Sequence, residues 1–252
     1  MIQVEGLSKL YAEFVAVDDL SFEVQPGSVL GLVGPNGAGK TTTLRSLAGI
    51  IPPTRGTVRV AGYDLATHPL EAKRRLAFFS DTPKLFEYLT VKQHLAFVAR
   101  IYQVRDAQAL GQELLEELEI ADKADQLPNE LSHGMRQKLA IACGLLHSPS
   151  VLYFDEPLTG LDPFGIRRMK DSIRKRARNG AAIIVSSHLL PLVEEICSHL
   201  LIVKKGKKVV DGPLEEIRQR FLEQSGSSNL EELFFHVAGE ETPASASNPP
   251  PA

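Results

Sequence analysis

The residues best suited to chemistry lie in one run, Gly34-Pro35-Asn36-Gly37-Ala38-Gly39-Lys40-Thr41, followed directly by Thr42. The run satisfies G-x-x-x-x-G-K-S/T completely, and each residue type has a physical reason. Glycines let successive backbone N–H groups turn inward and form a nest for phosphate oxygens. Lys40 places a point charge on the same oxygens, and the Thr41 hydroxyl is a hard donor suited to Mg²⁺. Such a loop needs a strand before it and a helix after it, so that the helix N-terminus faces the phosphates. Both signals are present. SVLGLVG precedes the loop, and KTTTLRSLAGI follows it and is stopped by Pro52-Pro53. The expectation is a nucleotide phosphate cradle.

A second set of reactive residues ends the apolar run VLYFDE. Asp155 is placed to hold Mg²⁺ through water, and Glu156 to polarise an attacking water. His188 follows another apolar run, AAIIVSS, and is expected to emerge at a strand end. A lone histidine there is usually structural; the neighbouring motifs argue for function.

These residues require a scaffold, and its elements are readable. IQVEGL, LSFEV and SVLGLVG are short strand signals, with a turn at Pro26-Gly27, and GTVRVAGYD is another strand and turn. From Thr90 to about Ile120 apolar positions recur at helical spacing, with Leu114, Leu115 and Leu118 on one face and Glu113, Glu116, Glu117 and Glu119 elsewhere. PFGIRRMKDSIRKRARNG reads as a crossover helix closed by Asn179-Gly180, between the strands VLYFDE and AAIIVSSH. Strand, helix, strand in this order predicts an α/β fold with a mainly parallel sheet. LLIVKKGKKVVDG predicts a hairpin centred on Gly206, its lysines on solvated edges. NLEELFFHV carries an apolar helical face, with Ser228 and Glu231 as a capping box. GEETPASASNPPPA lacks large apolar residues and is expected to be disordered.

Five motifs in order resemble the ATP-binding subunit of an ATP-binding-cassette (ABC) transporter. They are GPNGAGKT, the signature-like LSHGMRQ, VLYFDEP, the D-loop-like LTGLD and the histidine of SSH. The resemblance implies a P-loop NTPase with a RecA-like α/β core, an N-terminal antiparallel β subdomain and a helical subdomain at about residues 85–148. On this reading the cassette spans residues 1–220, residues 221–237 form an amphipathic helical appendage and residues 238–252 a Pro/Ser/Ala tail.

The resemblance also implies function. ATP and Mg²⁺ would be bound, and two copies would close head to tail over two ATP molecules. Ser132 and the Gly134 backbone would reach the other copy's nucleotide in trans, Tyr11 would stack on adenine, and Asp162 would couple the two sites. Glu156 would be the general base and His188 would contact the γ-phosphate. The chain would sit on the cytoplasmic face of the cell membrane against a separate polytopic permease. A Q-loop ending in Asp, LSHGM and the trailing LEELFF helix resemble exporter-type subunits. Two departures stand out. His133 and Met135 replace the usual Gly and Gln of the signature, and Asp81, in LAFFSDTPKLFEYLT, occupies the position of a Gln that reaches Mg²⁺ and the attacking water. A shorter, charged side chain there is expected to keep metal sensing with altered affinity.

Composition bounds the alternatives. The 252 residues carry 28 Lys and Arg against 31 Asp and Glu, a net charge of -3, so no basic field suggests a nucleic-acid partner. The two cysteines, Cys143 and Cys197, are too few for a disulfide framework and read as buried thiols. The most apolar region, Leu139 to Phe154, is broken by His147, Ser148, Pro149 and Ser150, and the first residues carry Glu5 and Glu13 with no apolar core. The expectation is a soluble, cytoplasmic chain that does not span a membrane. A GTPase is disfavoured by the absence of an N-K-x-D segment. A soluble single-cassette ABC ATPase in a non-transport role, such as iron–sulfur assembly, stays open.

Overall fold

The structure is a computed structural model, and it describes residues 1–158, 161–188 and 190–225. In chain order it runs through β1 (Ile2–Tyr11), β2 (Phe14–Val24), β3 (Val29–Val33), α1 (Lys40–Leu47), β4 (Arg55–Val60), β5 (Tyr63–Asp64), α2 (Pro69–Lys73) and β6 (Leu76–Phe79). Then come α3 (Val91–Tyr102), α4 (Ala107–Glu117), α5 (His133–Leu145), β7 (Val151–Asp155), α6 (Pro163–Arg178), β8 (Ala182–Ser187), α7 (Leu190–Ile196), β9 (His199–Lys204), β10 (Lys207–Pro213) and α8 (Leu214–Ser225).

Two sheets result. One is antiparallel, in the order β2-β1-β4-β5; the other has six strands in the order β10-β9-β3-β8-β7-β6, parallel except for β10. The parallel strands β3, β7 and β8 are buried at every residue, as strands covered on both faces must be. Alternate side chains serve different cores. Val151 and Tyr153 of β7 pack with α1 and the antiparallel sheet, whereas Leu152 and Phe154 pack with the helices on the other face. The fold is the expected α/β P-loop architecture, with its antiparallel β lobe.

Several elements differ in extent from the sequence reading. The helical spacing from Thr90 to Ile120 forms two helices, because Gln103 (φ 54) and Asp106 (φ 53) adopt left-handed backbone conformations that end α3 and precede α4. The strand signals IQVEGL and LSFEV are parts of the longer β1 and β2, which pair from Ile2↔Val24 to Tyr11↔Phe14. The short helices α2 and α7, and the strand β6, gave no periodic signal. The hairpin at Gly206 forms as expected, with Lys204 paired to Lys207 across Lys205 (φ 50) and Gly206 (φ 79). Helix α8 begins at Leu214 and runs across residue 220. The NLEELFFHV helix, its Ser228–Glu231 box and the 238–252 tail lie outside the described residues.

Burial pushes the thiols of the half-buried Cys143 and the buried Cys197 up to about 12, which makes both poor nucleophiles. Among the described residues, no helix is long and apolar enough to cross a membrane.

The helical layer is tied to the core through the end of α4. Glu117 accepts from Ser172 Oγ (2.9 Å), Arg176 Nη1 (2.8 Å) and Lys175 Nζ (3.2 Å), all on α6, and Glu119 pairs with Arg168. Burial alone raises the Glu117 pKa, but Arg176, Ser172 and Lys175 outweigh it and hold the carboxyl at about 2. A depressed carboxylate pKa stabilises the fold above the ordinary value of 4.5, and that contribution is lost as pH falls towards about 2. Glu117→Gln should therefore destabilise the protein by on the order of 1–2 kcal/mol at neutral pH. Denaturant melts should show the gap to the unsubstituted protein closing between pH 4.5 and about 2.

Candidate functional site

Three neighbouring parallel strands end at one level. Val33 of β3 is in register with Ser187 of β8, and Ser186 of β8 with Asp155 of β7. The chain leaving β3 becomes the phosphate loop, the chain leaving β7 carries Glu156, and the chain leaving β8 carries His188. Sheet register alone thus brings together residues from three distant parts of the sequence, at the C-terminal strand ends where α/β sheets place their ligands.

The loop is shaped by its backbone. Gly37 (φ 77) and Gly39 (φ 104) occupy left-handed conformations, and Gly39 is the N-cap of α1. Gly34 and Gly39 are also tightly enclosed: a Cβ on Gly34 would lie 2.3 Å from the Val203 carbonyl, and one on Gly39 2.4 Å from the Ala16 carbonyl. The amide of Gly206, in the β9–β10 hairpin, donates to the Ala38 carbonyl at 3.0 Å and props the loop from outside. Asn36 and Gly37 are exposed and Thr42 is half-buried, in the first turn of α1, where helix geometry leaves amides free to bind an anion.

Lys40 is 8 % exposed and its Nζ donates to the carbonyls of Gly34 (2.6 Å) and Pro35 (3.2 Å). Burial lowers the Lys40 pKa below the ordinary lysine value, with Glu156 and Asp155 opposing the shift. A cation held between buried carbonyls and two acids is suited to meet phosphate oxygens.

Asp155 is 2 % exposed and accepts from Thr41 Oγ1 (3.2 Å) and Ser186 Oγ (2.7 Å). The Thr41 hydroxyl and the Asp155 carboxylate form an all-oxygen donor pair beside the phosphate cradle, which fits Mg²⁺. Glu156 has φ 52, and its carboxylate meets His188 Nδ1 at 2.8 Å. His188 is 55 % and Glu156 20 % exposed, so both groups can reach a ligand on the open side.

The other expected residues lie apart from this cluster. Ser132 and Asp162 are exposed N-caps, Ser132 accepting from Met135 N (3.3 Å) on α5 and Asp162 from Gly165 N (2.8 Å) on α6. Gly134 lies in the first turn of α5. Tyr11 ends β1, 47 % exposed, with Lys9 Nζ 5.1 Å from its ring centre. Asp81 is exposed just beyond β6, and its carboxylate accepts from Thr82 N at 2.8 Å.

Two contributors escaped the sequence reading. Ser186 supports both Asp155 and the Glu156 amide. Its only signal is a polar pair at the end of an otherwise apolar strand. Gln137, the last residue of the LSHGMRQ run, was given no role there; it donates from Nε2 to the Pro157 carbonyl at 2.9 Å.

Comparison with known proteins identifies the family. Residues 17–159 match the family described as ABC transporter. The Nod factor export ATP-binding protein I of Burkholderia thailandensis is 37% identical over 213 residues, which cover 84% of this chain and 70% of that protein. The bacitracin transport ATP-binding protein BcrA of Bacillus licheniformis is 35% identical over 221 residues, covering 87% and 72%. The ABC-type transporter ATP-binding protein EcsA of Bacillus subtilis is 29% identical over 243 residues, covering 96% and 98%. A solved structure of an ATP-binding subunit of an ABC transporter superposes with a TM-score of 0.88 at 33% identity, covering 94% of this chain and 99% of that one.

The close packing behind the loop has a measurable consequence. Gly34→Ala should lower stability by about 1–3 kcal/mol, because the backbone at Val203 must move to admit the methyl group. Gly37→Ala meets no atom within 4 Å and should cost only its left-handed strain, about 1 kcal/mol. Thermal melts of the two variants should rank them in that order.

Proposed function

Since the chain belongs to the ABC transporter ATP-binding family and is an ATPase, we propose that it drives transport by ATP-dependent closure of a head-to-tail dimer coupled to a separate membrane permease. The observation that carries the reading is the cluster of Lys40, Thr41, Asp155, Glu156 and His188 over three strand ends. The loop amides and Lys40 hold the phosphates, and Tyr11 offers an exposed ring to the base. Mg²⁺, held by Thr41 and by Asp155 through water, would neutralise charge on the phosphates. Glu156 takes the proton of the attacking water, and His188, bonded to Glu156, fixes that carboxylate and faces the γ-phosphate. Ser132 and the Gly134 amide, at the start of α5, face the nucleotide of the other copy, with Asp162 between the two sites.

The direction is export, on the strength of relatives named for Nod factor export. The docking surface is the apolar cluster of the exposed Phe86, Tyr88 and Phe97 on the half-buried Leu85 and Leu89, with Tyr88 89% and Phe86 56% exposed. The cluster is well held. Phe86 N donates to His94 Nε2 at 3.0 Å, and its ring packs edge-on against Phe97. An exposed, rigid aromatic surface favours a protein partner over a free-standing soluble enzyme. A membrane-bound partner would place the chain on the cytoplasmic face of the membrane.

Two experiments test this. Glu156→Gln should bind ATP, run as a dimer in light scattering, and release phosphate at least about 100-fold more slowly. A monomer with normal turnover contradicts the proposal. Asp81→Asn should shift the Mg²⁺ concentration that gives half-maximal ATPase, with ATP binding kept. An unchanged Mg²⁺ profile removes Asp81 from the metal-sensing role.

A further inference from the structure

Glu156 holds a backbone conformation that an L residue with a long side chain rarely adopts: φ is 52. Such a conformation is strained and persists only where its surroundings enforce it. Two contacts on opposite sides of Glu156 do so. Its amide donates to both the carbonyl (3.3 Å) and the hydroxyl (3.1 Å) of Ser186 on β8. On its C-terminal side, the Pro157 carbonyl accepts from Nε2 of Gln137 on α5, at 2.9 Å. Pro157 has no N–H, so at this residue the backbone can be held from outside only through its carbonyl.

Gln137 is an unusual residue to find buried. It is 3 % exposed, and its Oε1 is buried without a partner among the described residues. A half-satisfied buried amide is destabilising by itself. Its orientation is nonetheless determined, because only the NH₂ group can donate to the Pro157 carbonyl, and turning the amide over would set two oxygens against each other. The side chain therefore acts as a one-directional tie from α5 to the residue after Glu156. The helix that carries this tie is capped by Ser132, five residues earlier, about 7–8 Å along the helix axis.

We infer that Gln137 is a positioning residue: it clamps the Pro157 carbonyl, holds Glu156 in its left-handed conformation, and links the placement of α5 to the aim of the Glu156 carboxylate. The inference rests on the assignment of Glu156 as the base. If α5 shifts, the Pro157 carbonyl shifts with it, and the 2.8 Å contact between Glu156 and His188 is disturbed. The first turn of α5 and the catalytic carboxylate are thereby connected within one chain through one side chain.

The test uses the full chain with Gln137→Met, which keeps an unbranched shape but loses the donor, and Gln137→Glu. Each is combined with Glu156→Gln. Gln137→Met should lower kcat about tenfold or more, with KM for ATP within about twofold, because misaiming a catalytic group slows the chemical step rather than binding. It should not lower the residual turnover of Glu156→Gln any further. Gln137→Glu should approach the unsubstituted rate as pH is lowered from about 9 to 6, because a protonated carboxyl again donates to Pro157. Unchanged kcat in Gln137→Met, or an equal loss in the Glu156→Gln background, overturns the inference. Should Gln137→Met fail to fold, the Gln137→Glu series decides, and a pH-independent ratio to the unsubstituted protein overturns it. If Glu156→Gln alone turns over normally, the assignment of the base fails instead. If Glu156→Gln is inactive and Gln137→Met runs at full rate, only the role of Gln137 is lost.

Discussion

The site depends on the placement of one buried carboxylate. Asp155 sits at 2 % exposure at the end of a central strand, and a carboxyl so placed must be surrounded by donors. Its donors come from two other segments, Thr41 at the start of α1 and Ser186 at the end of β8. That pairing exists only because β3, β8 and β7 are parallel neighbours in one register, with Val33 opposite Ser187 and Ser186 opposite Asp155. A slip of one residue in either pairing would turn alternate side chains to the wrong face and separate the phosphate loop from the acids. The side chains of β7 are fitted alternately into two different cores, Val151 and Tyr153 into one and Leu152 and Phe154 into the other, and that fit resists the slip.

From this fixed point the remaining parts fall into two groups. The residues on the strand ends and the phosphate loop are rigid and interlocked, and the loop is wedged between the carbonyls of Ala16 and Val203 with Gly206 behind it. The residues on helix N-termini, Ser132 and Asp162, satisfy amides of their own helices and remain exposed. On the proposed function the first group binds and prepares the nucleotide, and the second, exposed on its helix N-termini, meets a second copy. The helical layer that carries Ser132 packs on the core through apolar side chains and is joined to it by polar ties as well, Glu117 to α6 and Gln137 to Pro157. Polar ties between layers define an orientation more sharply than apolar packing, because a hydrogen bond is lost over a much smaller displacement.

The legibility of the fold followed the strength of the local signals. The phosphate loop needs particular residues at fixed spacing, so Gly34 to Thr41 could be recognised directly. The crossover helix beginning at Pro163 and closed by Asn179-Gly180 was equally clear, because its N-cap, proline and closing glycine are local. The break between α3 and α4 was not. It depends on Gln103 and Asp106 taking left-handed conformations, and neither residue type demands that. The strand β6 was missed because four residues, LAFF, carry too little periodicity; its pairing with β7 is a long-range contact.

The sequence by itself determined the chemistry available: a phosphate loop, an acid pair, a histidine at a strand end and the family that combines them. These are properties of residue type and spacing, and they survive without coordinates. Only the tertiary structure decided which groups act on one another. Ser186 beneath Asp155 and Gln137 on the Pro157 carbonyl join residues 31 and 20 positions apart, through strand register and helix placement. No local pattern encodes such contacts, because they are set by how whole elements pack.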